Sequence, residues 1–222
     1  MEKLSNIFSV LQLDADDDQL HTPDSSSTTA LATGELNAFF HCTRGFVSRN
    51  DWSKYEVDRI LEIACIITDG NLIKSVEGPD LVIHQTKECL DNMGEWCQSH
   101  HSASGLTKKV LRSTISEQEA EKQVIEFVKR NVGTYTPLLA GNSVYVDFLF
   151  LKKYMPDLAS LFPHVLVDVS SIKALCIRWY PRDSKKAPPK ENKHRAMDDI
   201  RESIRELKYY RENIFKASKS RK

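Results

Sequence analysis

The run Arg59-Ile-Leu-Glu-Ile-Ala-Cys-Ile-Ile-Thr68, closed by Asp69-Gly70, constrains the fold of this chain more than any other feature. A near-continuous apolar stretch of that length bounded by a tight-turn pair predicts a buried strand entering a turn. A second strand, about Leu72 to Glu77, is expected to pair back onto it, and Leu81-Val-Ile-His84 reads as a third. The pattern then changes period. Ser116-Glu-Gln-Glu119 is a capping box, and Ala120, Val124, Phe127 and Val128 recur at helical spacing until Gly133 stops the helix. Pro137-Leu-Leu-Ala-Gly-Asn142 predicts a short strand running into a loop, with a helix from about Val146 to Tyr154 that Pro156 ends. Val165 to Val169 reads as a further buried strand, with a helix from Ser170 to about Trp179 behind it. After the basic, proline-broken loop Lys185-Lys-Ala-Pro-Pro-Lys190, a last helix from about Arg195 to Phe215 sets Ile200, Ile204 and Leu207 on one stripe. Strands first, then strands alternating with helices, predict an α/β fold with a mixed central sheet flanked by helices.

Charge narrows the function classes. Lys+Arg 31 against Asp+Glu 31 gives a formal net charge of zero over 222 residues. The neutrality is a sum over unlike parts, because residues 1–45 hold seven acids and two bases, so that segment carries −5 and the remainder +5. A mildly basic domain suits a ligand of a few phosphates better than a long polyanion gripped through many. Asp14-Ala-Asp-Asp-Asp18 and the polar tract Asp24-Ser-Ser-Ser-Thr-Thr29 contain too few large apolar residues to order themselves. The expected organisation is therefore a disordered acidic tail over 1–45, one domain over 46–217 and a basic tail over 218–222. No apolar stretch approaches the roughly 18 residues of a membrane helix, so no membrane partner is expected. The five scattered cysteines and the absence of a secretory layout predict thiols in a reducing compartment. The acidic start is unlike an organellar transit peptide, and the expected location is cytoplasmic or mitochondrial with no clear targeting peptide.

Several chemistries lack their motifs. No glycine-rich phosphate loop follows a predicted strand, and no G-x-S-x-G elbow is present. Cys89, Cys97, His100 and His101 are zinc-ligand types, but their spacing does not match the short clips of structural zinc sites, which leaves two packed thiols and two loop histidines. More specific is His194-Arg-Ala-Met-Asp-Asp-Ile200, where a histidine approaches a helix and Asp199 follows one turn in. A carboxylate there can bind a divalent metal while the imidazole acts as general base on a water. Asp147, opening a helix just past a strand's carboxyl end, is a plausible partner. By spacing alone, an Asp at a helix start is more often a cap or dipole partner.

The wording from Glu56 to Phe215 adds to that reading. Glu56-Val-Asp-Arg-Ile-Leu-Glu-Ile-Ala64, Glu77-Gly-Pro79, His84-Gln-Thr86, Ala103-Ser-Gly-Leu106, Gly141-Asn-Ser-Val144 with Asp147, Lys153-Tyr-Met-Pro156, Val167-Asp-Val-Ser170 and His194-Arg-Ala-Met-Asp-Asp-Ile-Arg-Glu-Ser203 all occur. With these the chain resembles the oligoribonucleases, 3′-to-5′ exoribonucleases of the DEDDh group, and most of all their plant members. The resemblance implies a ribonuclease H-like exonuclease fold and hydrolysis of short single-stranded RNA oligonucleotides to mononucleotides. It implies Asp147 and Asp199 as two of four metal-binding carboxylates, His194 as general base, Mg2+ (or Mn2+) as the ion pair, and a homodimer. It also implies Trp96 beside the substrate bases, where an indole face suits sequence-tolerant stacking, and Ser143 and Ser170 near the substrate phosphates.

The chain departs from the family at the first strand, where an Asp-x-Glu pair is expected just upstream of Glu56. Counting back without gaps puts Val47 and Arg49 at those two positions, and Phe39 to Tyr55 contains no Asp-x-Glu at all. Two divalent ions carry four positive charges and favour hard oxygen donors, so the first strand is expected to be atypical and half the metal ligands missing. His164-Val165 stands where the family has Tyr-Arg, and His164 is the candidate substitute for phosphate contact. The alternative function is a catalytically impaired form that acts by nucleic-acid binding or dimerisation.

Overall fold

The computed structural model describes residues 38–45, 59–189 and 195–215. The predicted apolar strand is β2 (Glu62–Asp69), and its two faces account for its composition. Ile63, Cys65 and Ile67 enter one core with Val124, Leu139 and Phe148. Ala64 and Ile66 meet Ala196, Met197 and Ile200 on the other side. A strand covered on both faces has no solvent side, so polar alternation never appears. Asp69 then closes the turn, its Oδ1 accepting the N–H groups of Ile73 at 2.7 Å and Lys74 at 3.0 Å.

The chain returns as one antiparallel strand, β3 (Ser75–Val82), where the sequence reading expected two. Gly78 lets β3 lie close to the helix α4 (Glu117–Val132), since a Cβ there would fall 2.5 Å from the Phe127 ring and 2.6 Å from Cys65 Sγ. A register shift in the β2 pairing spans Ala64 and Ile66, opposite the Gly78-Pro79 stretch; an edge strand tolerates proline at such a break.

The domain boundary expected at residue 45 needs correction. Ala38–Gly45 is not tail but strand β1, antiparallel to β2 along its length and parallel to β4 (Leu138–Gly141). With β5 (Leu166–Asp168) parallel to β4, the sheet order is β3-β2-β1-β4-β5, and β1 is its centre. Composition averaged over the acidic segment hid a Phe39-Phe40 pair, whose burial drives the strand into the sheet. Phe40 is fully buried and stacks on Phe162 with ring centroids 4.9 Å apart. Burial of such a side chain stabilises by roughly 1.5–3 kcal/mol. Residues 1–37 and the basic tail at 218–222 lie outside the described residues, as do Val47 and Arg49.

Helices fill both faces. Short helices α1 (Lys87–Asp91), α2 (Glu95–Ala103) and α3 (Leu106–Arg112) precede α4 and bury Leu90, Met93, Cys97, Leu106 and Val110 against Leu61. His100 and His101, expected in a loop, belong to α2. The capping box of α4 is present: Ser116 Oγ accepts the Glu119 N–H at 3.1 Å, and Gly133 ends the helix at φ +64°. With α4, helices α5 (Val144–Tyr154) and α6 (Pro156–Ala159) complete the first face. The other is crossed by α9 (Ala196–Asn213), beside which pack α7 (Val169–Trp179) and the short α8 (Pro181–Ser184). Ile200 and Leu207 are buried and Ile204 partly so, along the predicted stripe. Among the described residues, no helix is long and apolar enough to cross a membrane.

Candidate active site

Parallel strands β4 and β5 end in register, Gly141 beside Asp168, so the loops leaving them meet at the carboxyl edge of the sheet. Open α/β sheets place ligand crevices there. Asp168 is the N-cap of α7, its Oδ1 accepting the Ser170 N–H at 2.8 Å. The same oxygen accepts the Ser143 N–H at 3.0 Å, which also reaches Ser170 Oγ at 3.0 Å. These bonds hold Ser143 at φ +53°, a left-handed conformation that a non-glycine residue adopts at a cost of about 1–3 kcal/mol. As a result the Ser143 and Ser170 hydroxyls sit 3.3 Å apart. Two hydroxyls at that spacing can donate to oxygens of a single phosphate.

The cradle is wired to α9. Ser170 Oγ lies 3.4 Å from Asn142 Oδ1, Asn142 Nδ2 donates to Ser203 Oγ at 2.6 Å, and Ser203 Oγ donates to the Asp199 carbonyl at 2.8 Å. Asp199 is half-buried in the first turn of α9. That turn has no side-chain cap of its own. Instead the fully buried Glu62 of β2 accepts the Ala196 N–H at 3.3 Å and pairs with Arg195 through both Nε, at 3.1 and 3.2 Å, and Nη2. Hydrogen bonding to Glu62 raises the Arg195 guanidinium pKa above its ordinary value. Glu62 thus fixes where α9 begins, and with it the placement of Asp199.

Asp147 is buried in the first turn of α5, where the helix N-terminus favours a carboxylate. The sequence-predicted residues divide accordingly. Ser143 and Ser170 come together, and Asp199 connects to them through Asn142 and Ser203. His164 is exposed before β5, at the opposite end of that strand from Ser170. Trp96 is a residue of α2 whose side chain lies outside the described set, as does the whole of His194. Asn142, Asp168, Ser203 and Glu62 hold the site in shape and had not been singled out. Two of them left a signal: Asp168-Val-Ser170 has N-cap spacing, and Glu62 is the one acid inside the apolar run.

At the sheet's centre, β1 places His41 opposite Ile66 and Ala140. The imidazole is fully buried, with Nε2 3.1 Å from Thr68 Oγ1 and no hydrogen-bond partner for Nδ1. Burial pushes it down to about 3, so it is neutral. Phe39, two residues earlier, packs with Leu72, Val169 and Leu207. Among the described residues no group of three or more His, Cys, Asp or Glu side chains is arranged to hold a metal ion. A pair of divalent cations needs oxygen donors and compensating negative charge, and of the carboxylates the resemblance implies, the described residues include Asp147 and Asp199.

A family model described as exonuclease matches residues 44–207. Over 230 aligned positions, covering 98% of this chain and 99% of the relative, the sequence is 61% identical to an oligoribonuclease of Arabidopsis thaliana. The chain belongs to the oligoribonuclease family of exonucleases. It is also 48% identical to a mitochondrial oligoribonuclease of Mus musculus, over 86% of this chain and 80% of that one. The nuclease domain of 3′hExo, a DEDDh family member bound to rAMP, shares the fold with a TM-score of 0.55 at 12% identity, covering 82% of this chain and 96% of the domain. The mixed five-stranded sheet with helices on both faces is thus the ribonuclease H-like exonuclease fold, and DEDDh exonucleases generally use divalent metal ions.

Proposed function

We propose that this oligoribonuclease-family chain takes the 3′ end of short single-stranded RNA and works as a 3′-to-5′ exoribonuclease releasing mononucleotides. The observation that carries this reading is the Ser143–Ser170 hydroxyl pair, held by Asp168 at the carboxyl edge of the sheet and bonded through Asn142 and Ser203 to the Asp199 turn. The pair is small, and it suits a substrate that offers few phosphates. The hydroxyls bind and orient a phosphate, and Trp96 stacks a base. The ion that suits such a site is Mg2+ (or Mn2+), because phosphate and carboxylate oxygens are hard donors. Asp147 and Asp199 are the two carboxylates this chain keeps for it, with His194 as the proton acceptor.

A homodimer is supported by the exposed apolar residues Leu175 and Trp179, four apart on one face of α7, because exposed apolar side chains grouped on one face mark an interaction surface. Cytoplasm or mitochondrion is the proposed location. The test is a 5′-labelled RNA tetranucleotide followed over long incubation. Products should shorten from the 3′ end in the parent and not in Asp199→Asn or His194→Ala; release of internal fragments, or equal loss in all three proteins, rejects the reading.

A further inference from the structure

A crevice of about 550 Å³ opens where α4 begins beside the start of β2 and the end of β3, walled by Arg59, His84 and Gln85 and by Ser113, Thr114 and Gln118. That size lies within the range of small-molecule sites, roughly 300–1,000 Å³. None of these residues belongs to the Ser143–Ser170 cradle. The Arg59 guanidinium lies 4.8 Å over the ring of Tyr154, the last residue of α5, whereas Ser143 caps the first turn. The length of α5 puts about 16 Å between its two ends.

What the fold leaves unpaired there sets the chemistry. Arg59 donates to Glu117 through Nε, at 2.9 Å, and through Nη2, so the Glu117 charge is offset within the wall. Glu119, the other acid of that turn, bonds Gln123 at 2.8 Å. Among the described residues, the half-exposed Arg59 has no acceptor at Nη1. In α4 the Glu119 N–H goes to Ser116 Oγ at 3.1 Å and the Ala120 N–H to the Ser116 carbonyl at 3.0 Å. The N–H groups of Glu117 and Gln118 then meet no acceptor among the described residues, at the positive end of a 16-residue helix. Gln85 keeps only 8% of its surface exposed. Its Nε2 donates to the Ile60 carbonyl at 3.0 Å and to Glu117 at 3.1 Å, while its Oε1 meets no donor among the described residues. Arg112, just before Ser113, is exposed and has no ion pair among them either.

We infer that this crevice is a second site, apart from the cradle, that binds a nucleoside monophosphate: the phosphate on the first turn of α4 and Arg59, and a hydroxyl or amino donor of the sugar or base on Gln85 Oε1. An anion answers the open N–H groups and Nη1, where charge-assisted hydrogen bonds are strongest. A donor answers the buried amide oxygen, which is costly to leave without one. Inorganic phosphate meets the first need only and a nucleoside the second only, whereas a mononucleotide carries both ends on one small unit. Arg112 at the rim adds positive charge that draws the anion in.

The experiment uses the full chain in EDTA with three probes: AMP, adenosine and inorganic phosphate. Amide and side-chain NMR shifts locate each probe and give its affinity, and a Ser143→Ala, Ser170→Ala double variant removes binding at the cradle. In that variant AMP should still shift the Glu117 and Gln118 amides and the Gln85 side-chain amide. It should bind about fivefold more tightly than phosphate, for the one added hydrogen bond, and about tenfold more tightly than adenosine. Gln118→Glu places a negative charge where a helix start accepts it, so α4 is kept while AMP binding should weaken at least about tenfold. Thr114→Glu, on the exposed rim, repeats that test if Gln118→Glu disturbs the helix. Shifts confined to the surroundings of Ser143 and Ser170 in the parent overturn the inference. Phosphate binding as tightly as AMP, or AMP binding unchanged by the added charge, overturns it as well.

Discussion

Asn142 Nδ2 donates to Ser203 Oγ at 2.6 Å, joining the loop after β4 to the second turn of α9 across 61 positions of sequence. Through Ser203, whose hydroxyl continues to the Asp199 carbonyl, the phosphate cradle and the first turn of α9 that bears Asp199 form one mechanical unit. Either single change, Asn142→Ala or Ser203→Ala, is expected to lower stability by about 1 kcal/mol. A double-mutant cycle by urea denaturation should give a coupling of roughly 0.5–1.5 kcal/mol. Additive effects would mean that the two side chains do not act together.

The two cradle serines differ in what else they do. Ser143→Ala removes a hydroxyl and leaves its backbone N–H bonded to Asp168. Binding of a short RNA should weaken about tenfold, the loss of one hydrogen bond to a charged group, with little change in the unfolding midpoint. Ser170→Ala also deletes an acceptor of the Ser143 N–H, so it should weaken binding at least as much and lower stability too. Anisotropy and thermal denaturation on the two variants separate these roles.

Glu62→Gln keeps the shape of a fully buried side chain and removes the charge that Arg195 faces. Breaking a buried pair by one partner costs about 3–5 kcal/mol. The low end, roughly 3 kcal/mol, is expected because the Arg195 side chain keeps 24% of its surface exposed. The first turn of α9 should loosen with it, seen as faster amide exchange at Ala196 and Asp199 than at Leu207. Uniform exchange along α9 would show that the helix start does not depend on Glu62.

How far the sequence carried these conclusions depends on the kind of signal. β2 and α4 were legible because period and punctuation agreed: an unbroken apolar run ended by Asp-Gly, and a capping box ended by glycine. β1 was not, because a short apolar strand next to a polar tract is averaged away in a composition window, and only its pairing with β2 and β4 reveals it. Ser143 and Ser170 were found through the family resemblance. What brings them together is the matched ends of two parallel strands, a register that no local pattern encodes. Glu62 and Arg195 are 133 positions apart, and only the tertiary fold makes one the cap of the other's helix.

His41 makes the fold sensitive to acid in a way that isolates one group. Its folded value of about 3 lies below the ordinary 6.5, and the cause is burial. A base held neutral in the folded state contributes its full stability above pH 6.5, and that contribution is lost as the pH falls toward 3, because the unfolded chain binds the proton first. The slope can reach about 1.4 kcal/mol per pH unit for one such group. Carboxylates also protonate in this range, so the comparison must be with a variant lacking only the imidazole. His41→Asn, which can still bond Thr68, should remove the excess slope, leaving the parent about 2–3 kcal/mol more acid-sensitive than the variant between pH 6 and pH 4. Urea midpoints at half-unit intervals measure it, and parallel curves for the two proteins would place His41 in contact with water rather than sealed within β1.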